Sequence, residues 1–239
     1  MTMLKRYTSH QIRNVANSMW LSLDPGHLAL SISPLYEMLS AYPIRTAEII
    51  GLTFQSATDF LTSETGQVIP VPENGDQPLA GFLFIQRFRS AFYGCILVEQ
   101  GDPIVRRRFS AAHELGHYLL HFRPILESLP GDADLILAEG LTYSKDSPDE
   151  LPSGKLAMVD SPNRDVQFNF IGNDLVEREA NQFAAELLIP EAACNIIYES
   201  FSQKYGTKRQ ILTKRLATEF LVSAEAMRWR LATLKLQSS

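Results

Sequence analysis

The segment "RRRFSAAHELGHYLLH", residues 106–121, holds three of the chain's five histidines, two of them in the spacing His-Glu-x-x-His. Residues four apart lie on one face of an α-helix, so the imidazoles of His113 and His117 can reach a single ion. Glu114, next to His113, can reach a water on that ion and take its proton. The chemistry these residue types suit is metal-assisted hydrolysis, with His113 and His117 as metal ligands, Glu114 as the catalytic base and Zn²⁺ as the expected cofactor. The five-residue pattern also arises by chance. Its context strengthens it: a helical segment follows an extended one, and two histidines and a glutamate in apolar surroundings need partners.

A catalytic zinc site has three protein ligands and one open position. His121 follows His113 by two helical turns, about 12 Å along a straight helix at ~1.5 Å per residue, too far to share the ion. It is expected behind a ligand or near the helix end. The longer pattern HExxHxxGxxH is absent, because Leu120 and Arg123 occupy its last two marked positions. The third ligand is therefore sought in "DLVEREANQFAAELLIP". At about 100° per residue, Val176, Ala180, Phe183, Ala184, Leu187 and Leu188 form an apolar arc that includes Glu177. Glu179 falls on the edge of that arc, beside Gln182 and Glu186 on a polar side. Glu177 is the expected third ligand and Glu179 the second choice. The ordinary alternative is that Glu177 pairs with Arg106, Arg107 or Arg108. Asn181, one turn after Glu177, is placed to hydrogen-bond a ligand histidine from behind. His121 and Tyr143 are candidates to assist an oxyanion.

The elements that must position these groups read as follows. Residues 9–23 are helical, with Ile12, Val15, Met19 and Leu23 on one face. "SPLYEMLSAY" is a helix capped by Ser33 with Pro34 at its first position. "RTAEIIG" is a short helix closed by Gly51. "PLAGFLFIQ" and "AFYGCILVEQG" are adjacent antiparallel strands. Ser110 caps the histidine helix. Residues 124–173, with five prolines, read as a long loop with one short strand, "DVQFNFIG". A segment joining the two ligand helices is suited to lie across the cleft and restrict access. The chain is helical from residue 174 onward.

At 239 residues, with 45% hydrophobic and 21% charged residues, the chain can bury a sizeable core. The net charge of −5 gives no support for a chain that coats nucleic acid as a whole. Two cysteines without paired or metal-finger spacing are expected to be buried thiols. The N-terminus has no secretory pattern, and no apolar run approaches the ~20 residues of a membrane span. A cytoplasmic protein is expected.

The histidine segment and "EREANQFAAELLIP" together resemble the ImmA/IrrE family of zinc metallopeptidases. The first is similar to that family's Arg-Phe-Thr/Ser lead-in to its HExxH helix. The second is similar to its Glu-x-x-Ala-Asn/Asp-x-Phe-Ala-Ala segment, with Ile189 where Met is usual, and "FLVSAEAMRWRLATLKL" resembles the closing helix. The resemblance spans roughly residues 33–236 and departs in the long insert between His117 and Glu177. It implies an α+β, zincin-like fold, mostly helical, with a small antiparallel or mixed sheet beside the HExxH helix. Residues 1–200 would form the metallopeptidase domain and 201–239 a helical, helix-turn-helix-like segment. It also implies a polypeptide substrate, a cognate helix-turn-helix repressor cleaved in stress response or mobile-element control. Substrate would lie extended along the exposed sheet edge.

A different class of reading is a DNA-binding or interaction regulator, including a toxin–antitoxin partner, with a structural or degenerate zinc site. From Phe201 onward eight Lys and Arg face only Glu219 and Glu225, and Ser223 caps a helix bearing Arg228, Trp229 and Arg230. Direct DNA binding is not the preferred reading. Leu216, Phe220, Leu221, Met227, Leu231 and Leu234 are expected to pack on the core. Exposure of Arg228 and Arg230 together on one side would discriminate.

Overall fold

The computed structural model describes residues 6–23, 32–66, 68–69, 75–88, 91–128, 135–142, 153–155 and 174–236. It is an α+β fold in which a mixed sheet separates two apolar layers. Among the described residues the sheet has five strands in the order β1-β3-β2-β4-β5. They are β1 (Ile44–Ile49), β2 (Leu79–Phe88), β3 (Ala91–Glu99), β4 (Leu135–Thr142) and β5 (Ser153–Lys155). β1 runs parallel to β3, and the other neighbours are antiparallel.

Alternation along β2 divides the core. Phe82 and Phe84 face helix α3 (Phe54–Thr65) and pack with Phe54, Leu61, Leu97 and Ala138. Leu83 and Ile85 face the larger cluster, which includes Leu115, Phe183, Leu187, Leu216, Phe220 and Met227. That cluster joins α1 (Ser9–Leu23), α4 (Ile104–His117) and α6 (Asp174–Leu188) to α8 (Arg209–Phe220) and α9 (Ala224–Thr233). α2 (Leu35–Ser40) and α7 (Glu191–Tyr205) add Leu39 and Cys194 to it. The side chains of α8 and α9 therefore share one core with the histidine helix.

Several local expectations change. "RTAEIIG" is strand β1, not a helix. Its β-branched residues pair with β3 in the register Thr46↔Ile96, and Gly51 closes the turn after it with φ 68°. α2 is not capped by Ser33: Pro34 holds the cap position without a side-chain bond, and the Ser33 carbonyl accepts from Arg108. Ser110 does not cap the histidine helix either. α4 starts at Ile104 after Pro103, where a proline costs no helical hydrogen bond, and Ser110 is buried in its interior.

The stretch read as a loop over 124–173 contains α5 (Arg123–Ser128), β4 and β5. β4 is an inner strand, hydrogen-bonded to β2 along its length and to β5 through Gly140, Leu141 and Thr142. The outer strands are β1 and β5, so β4 is not a wholly open edge for substrate. "DVQFNFIG" and Tyr143 lie outside the described residues.

The side of α6 read as polar is covered. Tyr7 N–H donates to Glu179, Ser9 Oγ to Gln182, and Arg13 to Glu186, all from α1 or the residues before it. Glu179 and Glu186 are 5% and 2% exposed. No described helix is long and apolar enough to cross a membrane.

Candidate metal centre

Close helix packing brings the two motifs together. Gly116 of α4 abuts α6: a Cβ there would stand 3.2 Å from the Ala180 Cα and 3.0 Å from Phe183. Only glycine against alanine permits that crossing, and it sets the start of α6 beside His113 and His117. His113 Nε2 lies 2.9 Å from His117 Nε2. The Glu177 carboxylate lies 3.4 Å from the first and 3.5 Å from the second. The arginines proposed as alternative partners are engaged elsewhere: Arg106 with Asp102, Arg107 with Glu48 and Arg108 with the Ser33 carbonyl.

The far nitrogen of each ring is also placed. His113 Nδ1 lies 2.9 Å from Asn181 Oδ1, which can only accept, so that nitrogen carries the proton and Nε2 a lone pair. His117 Nδ1 has two neighbours, Glu139 Oε2 at 2.8 Å and His121 Nδ1 at 3.2 Å. The helix winds as a π-turn over Tyr118–Phe122, and His121 donates from Nε2 to Glu179 Oε2 at 3.1 Å. His121 thus stands behind His117, and Glu179 serves His121 and Tyr7.

This donor set fits a cation. With both Nδ1 atoms turned to acceptors, two Nε2 lone pairs and a carboxylate converge on one point. Such a cluster needs positive charge, from a metal ion or from a proton. Titration follows the same logic. Burial alone would depress His117, but Glu139 and Glu177 outweigh it and hold the ring well above its ordinary value. Burial alone would raise the Glu177 carboxyl, yet His117 and His113 hold it well below the usual carboxylate range. Burial, reinforced by His117, lowers His113. Burial brings His121 down to about 4, so it is neutral.

Glu114 is fully buried, and among the described residues neither carboxylate oxygen has a hydrogen-bond partner. It rests against β2, where a Cβ on Gly81 would come within 2.7 Å of its Oε1. Burial raises its pKa well above the ordinary value, and Glu139 adds to the rise. Beside the converging imidazoles, the Glu114 carboxyl is the group placed to exchange a proton with a water once it is ionised.

The residue that sequence reasoning missed is Glu139. Together with His113, His117 and Glu177 it offers a donor atom, all four lying within 4.8 Å of one another. Leu137 and Leu141 flank it in β4, and all three are buried. An acid alternating with leucines was the available signal, but it sat in a segment read as loop.

The fold and the site define a metallopeptidase-like domain, with a His/Glu group that could hold a metal. Residues 74–134 and 156–232 match the IrrE N-terminal-like domain of the Peptidase M78 family, more than half of the chain, and the chain belongs to this family. Among curated proteins, none matches the sequence.

Proposed function

We propose that this chain is a zinc-dependent metalloendopeptidase that cleaves a cognate helix-turn-helix repressor. The observation that carries the metal chemistry is the convergence of His113 Nε2, His117 Nε2 and Glu177 beside the unpaired Glu114. These three residues would hold the ion. When bound, zinc supplies Lewis-acid polarisation of the scissile carbonyl and lowers the pKa of a water toward ~7. Glu114 is placed to take a proton from the attacking water as the water oxygen bonds to the carbonyl carbon, and to deliver it to the amine as the C–N bond breaks. Asn181 holds His113 in the required tautomer. The repressor as substrate rests on the resemblance to the ImmA/IrrE family, not on any surface described above.

The reading of the closing helix as a base-reading element loses its main support. Arg228 is half exposed, whereas Arg230 is fully buried, so the two do not face solvent together.

Protein purified without a histidine tag should contain about one zinc per chain by elemental analysis. Glu114→Gln should keep the metal and lose roughly 10²–10⁴ in cleavage rate, the usual share of a general base. A Glu114→Gln variant that cleaves as fast as the native protein sinks the mechanism. Cleavage is followed by mass spectrometry on candidate helix-turn-helix repressors, with casein as the general substrate on which little activity is expected.

A further inference from the structure

The family match breaks between residues 134 and 156, the interval that contains β4 and β5. This interval nevertheless sends a buried carboxylate into the site. Glu139 pairs with Leu83 of β2, and Leu83 belongs to the core layer shared with α4. The main-chain ladder therefore fixes which face Glu139 occupies. Next to it, Gly140 lies under Phe54, where a Cβ would come within 2.7 Å of the ring, so α3 pins the strand from behind.

We propose that Glu139 is a positioning residue for His117: it accepts the Nδ1 proton of that ring and holds Nε2 toward Glu177. The inference rests on the metal reading above. The contacts around the ring support it. His121 turns its Nε2 to Glu179 Oε2 at 3.1 Å. Of the two atoms beside His117 Nδ1, Glu139 Oε2 is the nearer, at 2.8 Å against 3.2 Å for His121 Nδ1. A carboxylate behind a ligand imidazole fixes its tautomer and raises its basicity. Here that carboxylate comes from a strand inserted into the chain rather than from the matched segments.

The test uses the full chain loaded with one zinc or one cobalt per molecule. Glu139→Gln keeps an acceptor without the charge, and Glu139→Met removes both. Chelator competition should show weaker zinc binding, mild for Gln and roughly 10–100-fold for Met. The Co²⁺ absorption spectrum should keep its coordination number, and the His117 Nδ1 proton should lose its downfield NMR position in the Met variant. Native affinity and an unmoved proton in Glu139→Met overturn the proposal. So does a cobalt spectrum that loses a ligand, which makes Glu139 a direct donor. Should the Met variant not fold, the zinc-loaded native protein decides: His117 protonated at Nε2 rather than Nδ1 also overturns it. Native protein that binds no metal defeats the metal reading itself, whereas native binding with no effect at Glu139 defeats only this inference.

Discussion

Helix α6 buries carboxylates near both of its ends. Toward its C-terminus Glu186 meets Arg230 Nη2 at 2.5 Å and Arg13 Nε at 3.4 Å. Arg230, with no exposed surface, also donates from Nε to the Ile189 carbonyl at 3.0 Å. Toward its N-terminus Glu177 meets the two imidazoles of α4. A guanidinium brings a permanent charge, so the first arrangement needs no further cation and ties α1, α6 and α9 together. An imidazole brings a charge only by taking a proton, so the second is an electron-rich cluster open to a cation. One end of the helix is a structural joint and the other belongs to a group that could hold a metal, although both read as a glutamate on the same amphipathic helix.

The comparison is tested most severely at Glu177. Glu177→Ala should remove nearly all the zinc, a loss beyond the roughly 10–100-fold cost of an outer partner. The melting temperature of the metal-stripped protein should hardly move. A large drop in that temperature would make Glu177 a structural residue like Glu186.

At the opposite end, Arg230→Met leaves Glu186 buried with only the partly exposed Arg13. Breaking one side of a buried pair should cost about 3 kcal/mol in denaturant unfolding. The folded fraction should still bind one zinc. Replacing both partners, Arg230→Met with Glu186→Leu, should restore much of the loss, because an apolar pair avoids the desolvation cost. A double variant as unstable as the single one would mean that the charges matter for more than pairing.

Glu179 lies between these ends in position and in expected effect. It accepts from Tyr7 N–H and from His121, both at 3.1 Å. Glu179→Ala should cost about 2 kcal/mol for the acceptor lost to buried donors. Zinc content should fall far less than in Glu177→Ala. Equal zinc losses would show that the third donor had been assigned to the wrong turn of α6.

What the sequence made legible follows the reach of each interaction. The spacing of His113, Glu114 and His117 is local, and a helix converts it directly into geometry. Glu177 and Asn181 were also legible, because Ala180 and Ala184 mark the face of α6 that a second helix can approach closely. β1 was misread because its strand character comes from β3, about fifty residues away. The buried role of Glu186 was hidden because α1 and Arg230 cover it from opposite ends of the chain. Glu139 was hidden by composition: Pro, Asp and Ser around β4 read as loop, while the ladder to β2 makes it strand.

The smallest expected effect tests whether the two ends are independent. Cys194 is fully buried near the Arg230 end, and burial raises its thiol to about 11 although Arg230 pulls the other way. Its pKa is higher folded than unfolded, so the neutral thiol contributes stability below about pH 9 that is lost as pH rises through about 11. At pH 8 the folded thiolate fraction is on the order of one in a thousand, so alkylation proceeds through opening of this region. Cys95, in the second core layer and raised to about 12, serves as an internal control. Stripping the metal relaxes only the Glu177 end, and the alkylation rate of Cys194 should not change. Arg230→Met should accelerate it about a hundredfold if opening follows the ~3 kcal/mol loss, because the opened thiol is solvated and no longer senses the missing charge. Faster labelling of Cys194 on metal removal alone would show that α6 transmits the state of the site along its length, and the two ends would then not be independent.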